Sequence, residues 1–208
     1  MNIESKTATV AGGIPSEPEK ATLEGKNKIL GFWLFLGAET VLFATMFGTY
    51  LALKEQHLGG PRPHELFQMP MVAAATLILL TSSLTSVLAI MGMHENNVQK
   101  MRTWFLITVL LGFAFLGLEA YEFYEYVHEG HTITSSAFGS SFYLLVGTHG
   151  SHVLFGVFWI TGLIMQAGTR GITVHTAPKY YVASLYWHFV DVVWVFIFTV
   201  VYLMGMMA

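Results

Sequence analysis

At 208 residues the chain has the length of one domain, yet 54% of it is hydrophobic and only 11% is charged, well outside the balance of water-soluble proteins. A formal net charge of -3 with scattered basic residues does not suggest nucleic-acid binding, and the absence of Cys excludes thiolate metal sites, c-type haem attachment and disulfides. The composition is that of a membrane protein.

In chain order, Met1 to Lys28 mixes Lys, Glu, Pro and Gly without the apolar middle of a secretory signal, and is expected to be a retained polar tail. A helix needs roughly 20 apolar residues to cross about 30 Å of hydrocarbon. Five stretches qualify: Ile29 to Leu53, Met71 to Met91, Thr103 to Tyr124, Phe138 to Gln166 and Tyr180 to Met206. Between them lie Gly59-Gly60-Pro61-Arg62-Pro63, Glu95-Asn96-Asn97, His128 to Ser136 and Gly168 to Pro178, all rich in turn formers. The expectation is an all-α fold, residues 29–208 forming one bundle of five transmembrane helices after the tail 1–28. Gly147, Gly150, Ser151 and Gly156 in the fourth span favour close helix approach.

Lys6, Lys20, Lys26, Lys28, Lys100, Arg102, Arg170 and Lys179 fall on one side of such a bundle, against Lys54 and Arg62 on the other. Eight basic residues against two predict a cytoplasmic N-terminus and an outer C-terminus.

Ionisable groups inside a span each cost about 2.5–3.5 kcal/mol on insertion scales, so their depth is informative. At about 1.5 Å per residue, Glu39 lies roughly 15 Å deep, Asp191 roughly 17 Å and His188 roughly 12 Å from the cytoplasmic side. On the same rise, His149 and His152 lie roughly 17 to 21 Å from the outer face. The first, fourth and fifth spans thus place acid and imidazole groups in one layer. Glu39 is read either as a functional or lipid-contacting carboxylate or as a protonated structural one, and His149 with His152 either as structural hydrogen-bonding or lipid-contacting groups or as metal or haem ligands. His188 and Asp191, at i and i+3, are expected to satisfy each other on one helix face.

In the third span Glu119, Glu122 and Glu125 recur at i, i+3 and i+6, with Tyr121, Tyr124 and Tyr126 beside them and His128 and His131 beyond. They are expected on an outer acidic face, either a solvated helix end or a partner surface. The second span has no charge; Thr81, Ser82, Ser83, Thr85 and Ser86 supply hydroxyls for bonds within the helix or to a neighbour. Trp104, Trp187 and Trp194 are read as lipid-facing or packing side chains.

The segment Tyr186-Trp187-His188-Phe189-Val190-Asp191-Val192-Val193-Trp194 resembles the final-helix signature of cytochrome c oxidase subunit III, the haem-copper terminal oxidase subunit, in its short five-helix Gram-positive form. Supporting resemblances are Gly37-Ala38-Glu39-Thr40-Val41-Leu42-Phe43, Leu118 to Tyr124, Gly139-Ser140-Ser141-Phe142-Tyr143 and Gly147-Thr148-His149-Gly150-Ser151-His152-Val153. Together these cover nearly everything after Lys28.

The resemblance implies a non-redox subunit, with no catalytic centre of its own, of a proton-pumping enzyme of the bacterial cell membrane that reduces oxygen to water. It implies haem and copper in partner subunits, direct contact with subunit I, a complex with subunit II and a small subunit IV, and bound phospholipid. Glu39 would sit beside the lipid cleft, subunit I would be stabilised and its proton uptake sustained, and Arg170 would be the available contact for a lipid phosphate. The two helices that precede this unit in longer relatives are missing. Competing readings are subunit III of a quinol oxidase, the related accessory subunit of a nitric oxide reductase, and a free-standing proton-coupled transporter.

Overall fold

The computed structural model describes residues 15–56, 69–128, 130, 132–134 and 136–207. Within them are five helices long and apolar enough to cross a membrane: α1 (Leu23–Leu53), α2 (Met69–His94), α3 (Val98–His128), α4 (Ala137–Arg170) and α5 (Ala177–Ile197). The last continues directly as a π-helical turn, Phe198–Leu203, and a final α turn, Met204–Met207. Among the described residues no strand interrupts this all-α architecture.

Helix ends follow capping chemistry rather than hydropathy. α1 begins six residues before the expected apolar start at Ile29, because Thr22 accepts a hydrogen bond from the Gly25 N–H at 3.0 Å and caps the first turn. Ser136 caps α4 in the same way through Gly139 N–H at 2.9 Å. α4 stops where Gly171 takes φ 61° and its N–H closes on the Ala167 carbonyl, a left-handed ending suited to glycine.

The segment before α1, part of the expected tail, is packed. Its short 3-10 turn, Pro18–Lys20, lies against α5, and Glu19, only 1% exposed, meets His94 Nε2 at the end of α2 at 3.2 Å. Lys20 donates to Glu17 at 3.0 Å, and this bond raises its ammonium above the ordinary lysine range. Residues 1–14, His131 and the Gly59-to-Pro63 connection lie outside the described residues.

α2, α3, α4 and α5 pack in a ring, α2 touching α3 and α5, and α4 touching α3 and α5. α1 leans on the outside against α4 and α5. Its buried residues beyond the first turn are Leu36, Phe43 and Tyr50, one per seven residues, which is a single narrow seam rather than a broad core face. Leu30, Trp33, Leu34 and Val41 remain exposed, so α1 presents apolar side chains away from the bundle.

The hydroxyl run of α2 is a ladder to its neighbours. Trp194 Nε1 donates to Thr76 at 3.1 Å, Trp187 Nε1 donates to Ser82 at 2.9 Å, Ser86 pairs with Ser184 at 2.8 Å, and Thr85 pairs with Thr108 of α3 at 2.8 Å. Such bonds join helices where lipid offers no hydrophobic drive between them. Trp187 and Trp194 are therefore interior packing residues, 0% and 2% exposed. The Trp187 indole occupies a slot that only glycine leaves open: a Cβ on Gly112 of α3 would stand 2.7 Å from its ring, and one on Gly156 of α4 would stand 3.1 Å away. Gly147, by contrast, meets only Phe123, at an ordinary 3.9 Å, and Ser151 is exposed.

Candidate functional site

The five residues expected in one buried layer divide into two settings. On the outer flank of the bundle, Glu39 of α1 meets His152 of α4, Oε2 to Nε2, at 3.1 Å, with side-chain exposures of 16% and 20%. The other ring nitrogen, Nδ1, lies 2.8 Å from the Thr148 carbonyl. A carbonyl only accepts, so Nδ1 carries a hydrogen and Nε2 is left to face the carboxyl group. Glu39 is thus held by a partner on another helix rather than turned alone toward lipid. Phe43 stacks edge-on to the His152 ring at 5.1 Å, and the Tyr186 hydroxyl donates to the His152 carbonyl at 3.0 Å.

Shallow apolar grooves flank this pair because α1 is seated by so narrow a seam. One, of about 220 Å³, runs along Phe35, Ser151, His152, Phe155 and Tyr186. A second, of about 350 Å³, lies between α1 and α5 beside Trp33, Gly37, Thr40, His188 and Phe189. A third, also about 350 Å³, has Phe32, Phe35, Trp159 and Val182 on its walls and Lys28 and Lys179 at its end.

The remaining three residues of the layer lie inside the ring of helices or at its α2–α5 seam. His149 is fully buried, its Nε2 3.2 Å from the Val190 carbonyl of α5 and its ring between Phe115 and Trp194. His188 and Asp191 do not satisfy each other as their i, i+3 spacing suggested. His188 Nδ1 bonds Ser83 of α2 at 2.7 Å, because a hydroxyl on the facing helix offers better geometry than a carboxylate one turn along the same helix. Asp191 is 4% exposed with Ser83 as its polar neighbour, and neither carboxyl oxygen has a hydrogen-bond partner.

The acidic row of the third span also divides, and the outer-face expectation does not describe most of it. Glu119 and Glu122 are 6% and 5% exposed and point into the bundle. Glu122 accepts from the Tyr126 hydroxyl at 2.5 Å and from the Tyr202 hydroxyl of the π-helical turn at 3.0 Å. Glu119 packs against the Gly150 backbone, where a Cβ would come within 2.6 Å of its carboxylate. Glu125 sits at the margin and accepts from Tyr121 at 2.7 Å. Periodicity had shown that the three acids share a helical face but not which way that face turned.

Arg170 is exposed at the last turn of α4. Near the same end, the Arg102 guanidinium of α3 lies over Gly168, where a Cβ would stand 3.4 Å from its Cζ. Its Nε has no partner; Arg102, counted in the sequence only among the basic residues that set orientation, is a second cationic group at this end. Ser83 and Tyr202 were missed as partners of the ionisable residues; the hydroxyl run hinted at the first, and nothing local hinted at the second. Among the described residues no group of three or more His, Asp or Glu could hold a metal ion.

The pattern for the cytochrome c oxidase subunit III family matches residues 16–206. Cytochrome c oxidase subunit 3 of Bacillus sp. (strain PS3) is 66% identical over 207 residues, covering 99% of both chains. The same subunit of Bacillus subtilis (strain 168) is 63% identical with the same coverage. Quinol oxidase subunit 3 of Bacillus subtilis (strain 168) is 50% identical over 192 residues, 92% of this chain and 93% of its own. With five apolar spans, a family pattern matched over residues 16–206 and relatives 66% and 63% identical over 99% of both chains, the chain belongs to the cytochrome c oxidase subunit III family.

Proposed function

We propose that the chain braces subunit I of an oxidase fed by cytochrome c, and that it does so partly by holding phospholipid in the grooves beside α1. The setting is not in question: a subunit III of a terminal oxidase complex, multi-pass in the bacterial cell membrane. That membership decides against a free-standing transporter. Cytochrome c is favoured over quinol as donor because the full-length identities are 66% and 63% to cytochrome c oxidase subunits and 50% to the quinol oxidase subunit. The haems and copper then reside in partner subunits, with subunit II and a small subunit IV completing the complex.

The observation that carries the lipid reading is the seating of α1. A helix held by one seam, with apolar grooves beside it and the Glu39–His152 bond at 3.1 Å fastening it to α4, suits acyl chains as packing material. Lys28 and Lys179 end one groove, and Arg170 stands at the end of α4 for a phosphate group. The basic residues that flank the spans favour a cytoplasmic N-terminus, which puts these cations at the cytoplasmic interface, where proton uptake into subunit I would be supported.

The test is mass spectrometry of the intact oxidase with its retained lipids, alongside donor oxidation. Glu39→Ala is expected to leave haem spectra intact while lowering retained phospholipid or shortening turnover lifetime. Unchanged lipid content and lifetime would refute the lipid role, and oxidation of quinol alone would refute the donor assignment.

A further inference from the structure

Glu119 and Glu122 stand one helical turn apart on α3, both more than nine-tenths buried. The titratable groups around them are Glu125 and Tyr126 on α3, Tyr143 and His149 on α4, and Tyr202 on the π-helical turn of α5. No lysine or arginine forms an ion pair with either acid among the described residues. Two carboxylates cannot both hold a negative charge in so dry a place without a compensating cation.

Their hydrogen bonds are unequal. Both oxygens of Glu122 accept phenol hydrogens, from Tyr126 at 2.5 Å and Tyr202 at 3.0 Å, an arrangement that suits a carboxylate. Glu119 has an oxygen, Oε1, with no partner. A second unpartnered group stands on the neighbouring α4: His149, wholly buried, has no partner at Nδ1. Since its Nε2–H is turned to the Val190 carbonyl, Nδ1 is a bare acceptor. Its ring packs on Phe115, one turn before Glu119 on α3, and the next residue of α4 is the Gly150 on which Glu119 rests.

We propose that Glu119 and Glu122 form a buried proton-binding pair, with the negative charge on Glu122 and one proton on Glu119. Tyr126 and the marginal Glu125 connect the pair to the α3 end of the bundle. The site binds one proton from water at that end and returns it there, with no covalent step. It is separate from the Glu39–His152 pair and from any lipid groove, so its failure leaves the lipid reading standing and the reverse also holds. The π-helical turn has a role in it: it places Tyr202 against Glu122, and such turns recur at functional sites.

The test is infrared spectroscopy of the intact purified oxidase at neutral pH, in H2O and D2O. Glu119→Gln is expected to remove one protonated-carboxyl C=O band that shifts in D2O in the parent enzyme. Tyr202→Phe, which removes a donor from Glu122 without touching either acid, is expected to keep that band and change its frequency or its pH midpoint. It also serves if Glu119→Gln does not assemble. A carboxyl region unchanged by either variant overturns the proposal. So does a shift in the temperature of subunit release when sodium replaces potassium at constant ionic strength, which would make the bound charge a metal cation.

Discussion

The tryptophan slot makes a sharp test of the packing argument. Gly112→Ala places a methyl group 2.7 Å from the Trp187 ring and 2.8 Å from the Val157 side chain, where ordinary contact begins near 3.4 Å. Trp187 and Val157 are both 0% exposed, and on its far side the indole is stopped by Gly156, whose own Cβ would be 3.1 Å away. Overpacking of this kind costs about 1–3 kcal/mol. If the indole also withdraws from Ser82, a buried N–H loses its partner and the change moves toward the upper limit. A value of about 2 kcal/mol is a roughly thirtyfold shift in the unfolding equilibrium. The assay is reversible unfolding of the chain in mixed detergent micelles, with Gly117→Ala on the same helix as control, since nothing lies within 4 Å of a Cβ there. The control should match the parent or exceed it slightly through helix propensity. Equal stability of the two variants would refute the slot.

The same assay reads the α2 ladder. Ser82→Ala strands the Trp187 indole N–H and is expected to destabilise by about 1–3 kcal/mol, whereas Thr81→Ala, whose hydroxyl bonds only within its own helix, should change little; equal effects would argue against a cross-helix role. His188→Ala removes the 2.7 Å bond to Ser83 and should loosen the subunit in the complex, seen as loss of stoichiometry on detergent washing. Because the chain has no Cys, Lys20→Cys and Thr132→Cys report topology: an impermeant maleimide should label only Thr132→Cys in intact cells, and the reverse pattern would invert the proposed orientation.

Much of this architecture was legible because membrane crossing depends on length and hydropathy, and both are local properties of the sequence. Helix ends were less so: Thr22 starts α1 through a capping bond, six residues before the apolar run. The direction of polar faces was not legible. Glu119, Glu122 and Glu125 share a face by spacing, but whether it meets lipid, water or α4 depends on the crossing of two helices. His188 and Asp191 were paired by proximity along one helix, while the better partner, Ser83, stood about 105 positions earlier in the chain. Tyr202 was the least legible, since its aim depends on a π turn that rotates the helix out of its normal register. The signature around Trp187 was visible by resemblance, but its physical meaning, an indole in a two-glycine slot bonded to a serine, needed the fold.

That distinction sorts the buried polar residues by what they do. Where a polar group has a partner on a facing helix, as in the α2–α5 ladder, stability accounts for its presence, since each bond compensates for taking a hydroxyl, indole or imidazole into the bundle. Glu119 Oε1, His149 Nδ1 and both oxygens of Asp191 have no such partner, and burying them weakens the fold rather than strengthening it. An apolar side chain of similar size would pack in each place at lower cost. Stability therefore explains Ser82, Ser86 and Trp187 but not Glu119 or Asp191. If Glu119→Leu and Asp191→Leu both raise resistance to unfolding in micelles while impairing the assembled oxidase, the unpartnered acids belong to function; if both lower that resistance and leave turnover unchanged, they belong to the fold.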